Sequence, residues 1–339
     1  MKKPYYLLIL LCTLLYSCSQ GNKDLPTGVI FETDMGNDID DALALDMLYK
    51  YMDDGQIRLL AECVNKNSPY STEFIHLMNH WYGYPDIPIG RVENGIDSNH
   101  DSNNYAEVVS LMKDGQGNPL FRRPDFRDDE QPEAVSLYRK ILAQQPDSSV
   151  VLISVGFSTN IVKLLHSAAD EYSPLSGKEL IARKIKLLSM MAGSFGPYRI
   201  TEYNVVKDIP AAQAIAREWP TRIVYTPFEA GEAVKYKASV IESRFGWVNR
   251  HPLVEAYKSY LPMPYDRQTW DALAVLYAIE PSEKYFDISQ WGNVTVDDEG
   301  FTTFTPRADG QRAYLTIPPE KASAALYRLE QLTTRPTRR

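Results

Sequence analysis

Short apolar runs rich in β-branched residues alternate along this chain with longer stretches whose apolar positions recur at helical spacing. The runs at 28–31, 57–64, 87–90, 150–155, 185–191 and 222–225 read as strands, and those at 41–51, 72–82, 160–168, 211–218 and 229–235 as helices. Apolar strands separated by helices predict an α/β fold with an open, mostly parallel sheet covered by helices on both faces. No repeat, low-complexity stretch or Pro/Gly/Ser linker divides the body, so the pattern predicts a single domain over 28–333.

The first residues follow a different pattern. Lys2 and Lys3 precede an apolar run over 5–16, too short to span a bilayer, and a small residue stands directly before Cys18. Residues 1–17 read as an export signal, and Leu15-Tyr-Ser-Cys18 looks like the lipobox of bacterial lipoproteins. That likeness implies cleavage before Cys18, lipidation of Cys18, a polar tether over 18–27, and a protein held at the bacterial cell envelope through its lipid alone. The alternative is a plain exported protein with a chance cysteine.

Removing the signal also changes the charge. The full chain carries −8, and without the two leader lysines it carries −10. A body that acidic, with no basic run, repels nucleic-acid polymers. Cys12 leaves with the signal and Cys18 carries lipid, so Cys63 has no internal disulfide partner and reads as a core residue.

The densest chemistry lies between the first strand and the first helix. Glu32, Asp34, Asp38, Asp40 and Asp41 crowd into ten residues. Carboxylates this close raise the cost of ionising one another unless a cation sits among them. With no His or Cys nearby, the donor set suits a hard ion, Ca²⁺ or Mg²⁺. The competing reading is helix capping by Asp38, Asp40 and Asp41, which would need one or two acids rather than five. An EF-hand loop is excluded because Ile39 stands where that loop requires glycine.

Further polar residues follow other strands: Asn65 and Asn67, the turn Gly156-Phe-Ser-Thr-Asn160, and Ala192-Gly-Ser194. In open α/β sheets ligands bind beyond the carboxyl ends of the strands, so these turns converge on one pocket if the sheet is parallel. Each taken alone is equally an ordinary turn or cap.

Asp34-Met-Gly-Asn-Asp-Ile-Asp-Asp-Ala-Leu-Ala resembles the signature of the inosine/uridine-preferring nucleoside hydrolase family, a short Asp-Pro-Gly-Ile-Asp-Asp-Ala stretch, lengthened here by Asn37 and Asp38. Val155-Gly-Phe-Ser-Thr-Asn is similar to the family's Thr-Gly-Pro-Leu-Thr-Asn, and Glu202-Tyr-Asn to its Glu-Phe-Asn segment. Trp270-Asp271-Ala-Leu-Ala resembles its late His-Asp helix, and the segment from Gly292 its C-terminal hairpin and last helix.

The resemblance implies hydrolysis of the N-glycosidic bond of a nucleoside or related ribosyl compound. It implies Ca²⁺ held by Asp34, Asp41, the Val155 carbonyl and Asp271, with Asp34 as the general base that activates a water at the ion. It implies ribose contacts from Asp40, Asn67 (Asn65 being the alternative), Glu202 and Asn204, and a supporting role for Glu32. The chemistry asks for the same parts: an oxocarbenium-like state wants negative charge and hydroxyl contacts, and the departing base wants a proton or a stacked partner.

Two departures bear on this. Trp270 replaces the family's His, and indole stacks on a base without acting as a general acid. His100, in a loop over 95–104, is the candidate substitute, the alternative being a solvated loop residue; His76, His80 and His166 fall on predicted helices. Gly196 replaces a sugar-contacting Asn. Asp38 either adds a ligand or faces solvent. A Ca²⁺-dependent lipoprotein that binds ribosides without cutting them is the alternative function. A phosphohydrolase using an aspartyl nucleophile fits poorly, since Glu32 occupies the nucleophile's place. Base preference is not legible, and the motifs leave open whether the chain forms a homo-oligomer.

Overall fold

The computed structural model describes residues 26–338. The export signal over 1–17, Cys18 and most of the tether lie outside the described residues. The strands are β1 Thr27–Thr33, β2 Ile57–Val64, β3 Ile89–Gly90, β4 Val150–Ser154, β5 Ile185–Met191, β6 Arg222–Thr226, β7 Lys235–Tyr236, β8 Arg267–Gln268, β9 Asp287–Ile288, β10 Gly292–Val296, β11 Thr302–Pro306 and β12 Arg312–Thr316.

The main sheet runs β11-β10-β12-β6-β5-β4-β1-β2-β3, with β9 paired to β12. From β12 through β3 every neighbouring pair is parallel, and the β10–β11 hairpin continues the same sheet in antiparallel sense. The expected terminal hairpin is therefore an edge of the sheet rather than an appendage. The chain leaves β1 toward β2 and β3 and then crosses to β4 on the opposite side. That reversal makes the carboxyl ends of β1 and β4 the topological switch point, where open α/β sheets place their ligands.

Alternation along each strand feeds two cores. Val29, Phe31, Val151 and Ile153 face one, with the helices Asp40–Asp53, Pro69–Tyr82, Trp270–Ile279 and Pro319–Thr333. Ile30, Val150 and Leu152 face the other, with Ala134–Gln144, Thr159–His166, Gly177–Lys184 and Ile209–Glu218. Burying a side chain such as Phe31 or Ile30 contributes about 1.5–3 kcal/mol, which is why the strands carry so few polar residues.

Expected and observed elements differ mainly at their ends. Lys235, read as the end of a helix, lies in β7 after the helix stops at Ala233. Val155, read as the last strand residue, lies just beyond β4. Among the described residues no helix is long and apolar enough to cross a membrane.

Candidate active site

The acidic turn is built by local constraints. β1 ends at Thr33, whose hydroxyl donates to Asp41 Oδ1 and accepts from the Met35 amide at 3.0 Å. Gly36 then reverses the chain at φ +108°, and a Cβ there would meet Ala106 Cβ and Asn104 Oδ1, each at 3.1 Å. Such a backbone state is open to glycine and strained for other residues. The helix Asp40–Asp53 starts from Ile39 without a side-chain cap. The turn's acids face a cavity instead, so capping does not account for them.

Asp40, Asp41 and Asp271 each offer an oxygen within 4.8 Å of the other two. They are 1 %, 1 % and 4 % exposed, and the Asp271 amide donates to Asp40 Oδ2 at 3.0 Å. Burial, and then the neighbouring acids, push all three carboxyls well above the ordinary range. Asp34 lines the same cavity; burial raises it to about 6, with the Lys66 ammonium opposing the rise. Three or four desolvated carboxylates facing one another, with hard oxygen donors throughout, fit a divalent cation of the Ca²⁺ or Mg²⁺ kind.

The two residues that lengthen the turn recruit cations of the protein's own. Asn37 donates to Asp34 Oδ2 and Ser98 Oγ, both at 2.9 Å, and accepts from Lys66 Nζ at 2.6 Å. Asp38 stands outside the carboxylate trio and is partly exposed at the cavity. It receives a two-pronged ion pair from Arg267, with Nε donating to Oδ1 at 2.9 Å and Nη2 to Oδ2.

The opposite wall comes from β5 and the segment after it. Glu202 caps the helix Tyr203–Lys207, accepting from the amides of Asn204 at 2.9 Å and Val205 at 3.2 Å, and from Gly193 at 3.1 Å. Burial still raises its carboxyl to about 7 against those hydrogen bonds. Asn204 Nδ2 donates to the carbonyls of Val155 and Met191, at 3.2 Å each. Phe228, Tyr260 and Trp270 add an aromatic side, with Arg267 beside the last two. The whole encloses about 460 Å³, within the size of small-molecule sites.

Asp34, Asp40, Asp41, Val155, Glu202, Asn204, Trp270 and Asp271 all line this cavity. Asn67 does not: its side chain is exposed, and it meets the 95–104 loop through its backbone. Of that segment, Asn65 and Lys66 are both buried, and it is the Lys66 ammonium that reaches the acidic turn, through Asn37. Asn65 donates to Glu32 Oε1 at 3.2 Å, and Tyr138 to Glu32 Oε2 at 2.9 Å. Glu32 thus contacts Asn65 and Tyr138 and does not brace the acids directly. His100 is exposed, and among the described residues no His lines the cavity. Gly196 is likewise outside, its amide held by Glu229 Oε1 at 2.8 Å.

Sequence reasoning missed Lys66, Asp101, Tyr203, Tyr260 and Arg267. Tyr203 donates to Asp101 Oδ2 at 2.6 Å, and Lys207 also pairs with Asp101, tying the 95–104 loop to the mouth. The one available signal was Tyr203 inside the Glu202–Asn204 motif, with Lys207 one helical turn on; nothing in the pattern around Arg267 marked it.

Among curated proteins none matches the sequence. Among solved structures, a plant nucleoside hydrolase is 18 % identical, with a TM-score of 0.68 over 92 % of this chain and 100 % of its own. A purine-preferring ribonucleoside hydrolase from Gardnerella vaginalis is 17 % identical, with a TM-score of 0.66 over 91 % and 99 %. An inosine-uridine preferring nucleoside hydrolase from Bacillus anthracis is 16 % identical, with a TM-score of 0.65 over 90 % and 99 %. Identities this low establish the shared fold. The inosine-uridine preferring nucleoside hydrolase family as such matches residues 29–321, from the first strand into the last helix, and this chain belongs to it.

Proposed function

We propose that this protein is a Ca²⁺-dependent nucleoside N-ribohydrolase, releasing ribose and a free base, and that it is anchored at the bacterial cell envelope by lipid on Cys18. Family membership supports hydrolysis of an N-glycosyl bond. The observation that carries the finer reading is the convergence of Asp34, Asp40, Asp41 and Asp271 on one buried cavity with an aromatic side.

Asp34, Asp41, Asp271 and the Val155 carbonyl would hold the ion, which supplies positive charge that offsets their repulsion and makes water more acidic. Asp34 is the base: it lines the cavity beside the other carboxylates, and an ion held there would keep it ionised and able to take a proton from the attacking water. Asp40, Glu202 and Asn204 bind the ribose hydroxyls, orienting C1′ toward that water. The carboxylates also stabilise the positive charge that develops on the ring. Trp270 offers a face to the base, because its indole N–H is already given to the Phe228 carbonyl at 2.8 Å.

The test is ribose release from a panel of purine and pyrimidine nucleosides by purified protein, in Ca²⁺ and in chelator. Calcium-dependent release supports the reading. No release from any ribosyl substrate at any Ca²⁺ concentration defeats it. Lipidation is tested separately by a mass shift that disappears in Cys18→Ala.

A further inference from the structure

Cleaving a nucleoside requires the base to leave with a bonding pair of electrons, and no side chain of the acidic floor is suited to receive it. The cavity divides by chemistry. Its acidic floor suits a cation and sugar hydroxyls, whereas Phe228, Tyr260 and Trp270 offer aromatic faces for a planar heterocycle to lie against. Along that aromatic side the usual proton donors are missing or occupied. The Trp270 N–H is held by the Phe228 carbonyl, and Tyr203 donates to Asp101. Burial pushes the Tyr260 hydroxyl above its ordinary range, which makes it a still weaker acid.

Arg267 remains. Its guanidinium carbon lies 5.3 Å from the ring centroids of both Tyr260 and Trp270, and its side chain is 22 % exposed. Asp38 holds Nε and Nη2, which fixes the plane of the fork, and among the described residues Nη1 has no hydrogen-bond partner. A guanidinium does not give up its proton, but a fixed N–H in a dry site stabilises developing negative charge.

Resting on the hydrolase reading above, we propose that Arg267 is the catalytic residue of the leaving-group side: it holds the departing base as an anion, so that no side chain protonates it. The C1′–N bond breaks with its electron pair going to the base nitrogen. The water oxygen bonds to C1′, and the water proton passes to Asp34 and then to solvent. The base anion accepts a hydrogen bond from Arg267 Nη1–H and takes its own proton from solvent on release. Asp38, one of the two residues that lengthen the turn, is the positioning residue for the guanidinium.

The experiment compares inosine and uridine with 4-nitrophenyl riboside, whose phenolate departs unaided, in wild type and Arg267→Met. Loss of one fixed donor should lower kcat on both nucleosides about 10²- to 10³-fold, while the nitrophenyl riboside changes by less than about threefold. Equal loss on all three substrates with an unchanged thermal midpoint, or no loss on the nucleosides, overturns the proposal. If Arg267→Met does not fold, Arg267→Lys carries the same comparison: a selective deficit on the nucleosides supports the proposal, and a uniform one overturns it. Wild-type protein that cleaves none of the three defeats the hydrolase reading and this inference together. Wild-type cleavage with a uniform loss in the variant defeats this inference alone.

Discussion

Glu32 and Glu62 lie as deep in the protein as Asp40, Asp41 and Asp271, yet each glutamate has donors of its own. Tyr138 and Asn65 serve Glu32; Tyr49 and Asn79 serve Glu62. Burial raises both to about 8 and favours their protonated form, with those hydrogen bonds opposing the rise. The three aspartates instead face one another across a cavity, with few donors between them. A buried acid whose oxygens are met by a tyrosine and an asparagine is finished architecture, whereas three acids that share one Thr33 hydroxyl and one Asp271 amide among them have the donor set a divalent cation suits.

That contrast can be broken experimentally, and the largest effect falls on turnover. Asp34→Ala should lower ribose release by about 10³-fold or more, whereas Glu62→Gln should leave kcat within about threefold. Next comes metal-linked stability. Calcium at about a hundred times its Kd should add about 2.7 kcal/mol to wild-type unfolding. Asp41→Asn combined with Asp271→Asn should abolish that gain while Glu62→Gln retains it, as read by calorimetry.

Trp270→Ala should cost about 1–3 kcal/mol of base binding, seen as a raised KM and altered base preference, with the calcium-induced stabilisation intact. A loss of that stabilisation would show that the aromatic side and the acidic floor are not separable.

The smallest effect is on pH. Below about pH 4 the folded and unfolded chains both hold the protons of Glu32 and Glu62. As pH rises toward 8 the unfolded chain ionises while the fold retains them, so stability of calcium-free protein should fall across that window and level off above it. Glu62→Gln should flatten the fall by at most about 1.4 kcal/mol per pH unit. A metal-free protein whose thermal midpoint rises between pH 5 and 8 would contradict the protonated state assigned to these glutamates.

The floor of the site was legible because the acids of the turn crowd into a few positions, and because Asp271 sits in a recognisable helix start. The parallel sheet was legible for a similar reason: its strands are apolar on both faces. The rest is made by tertiary contact. Arg267 reaches the site from β8, a two-residue strand with no periodicity to reveal it. Tyr260 and Asp101 come from segments that read as loop or unassigned helix. Asn67 stays outside because it stands past the buried pair Asn65 and Lys66 and against the 95–104 loop, a tertiary contact that no local pattern announces.

Asp40 lies 231 positions before the amide that hydrogen-bonds to it. Everything between β1 and the helix Trp270–Ile279 must be in place before the two can meet. A nascent polypeptide that stops short of Trp270 therefore lacks one wall of the acidic cavity, however well its early sheet has formed. Closure of this acidic cavity then reports completion of the whole architecture rather than of its early sheet.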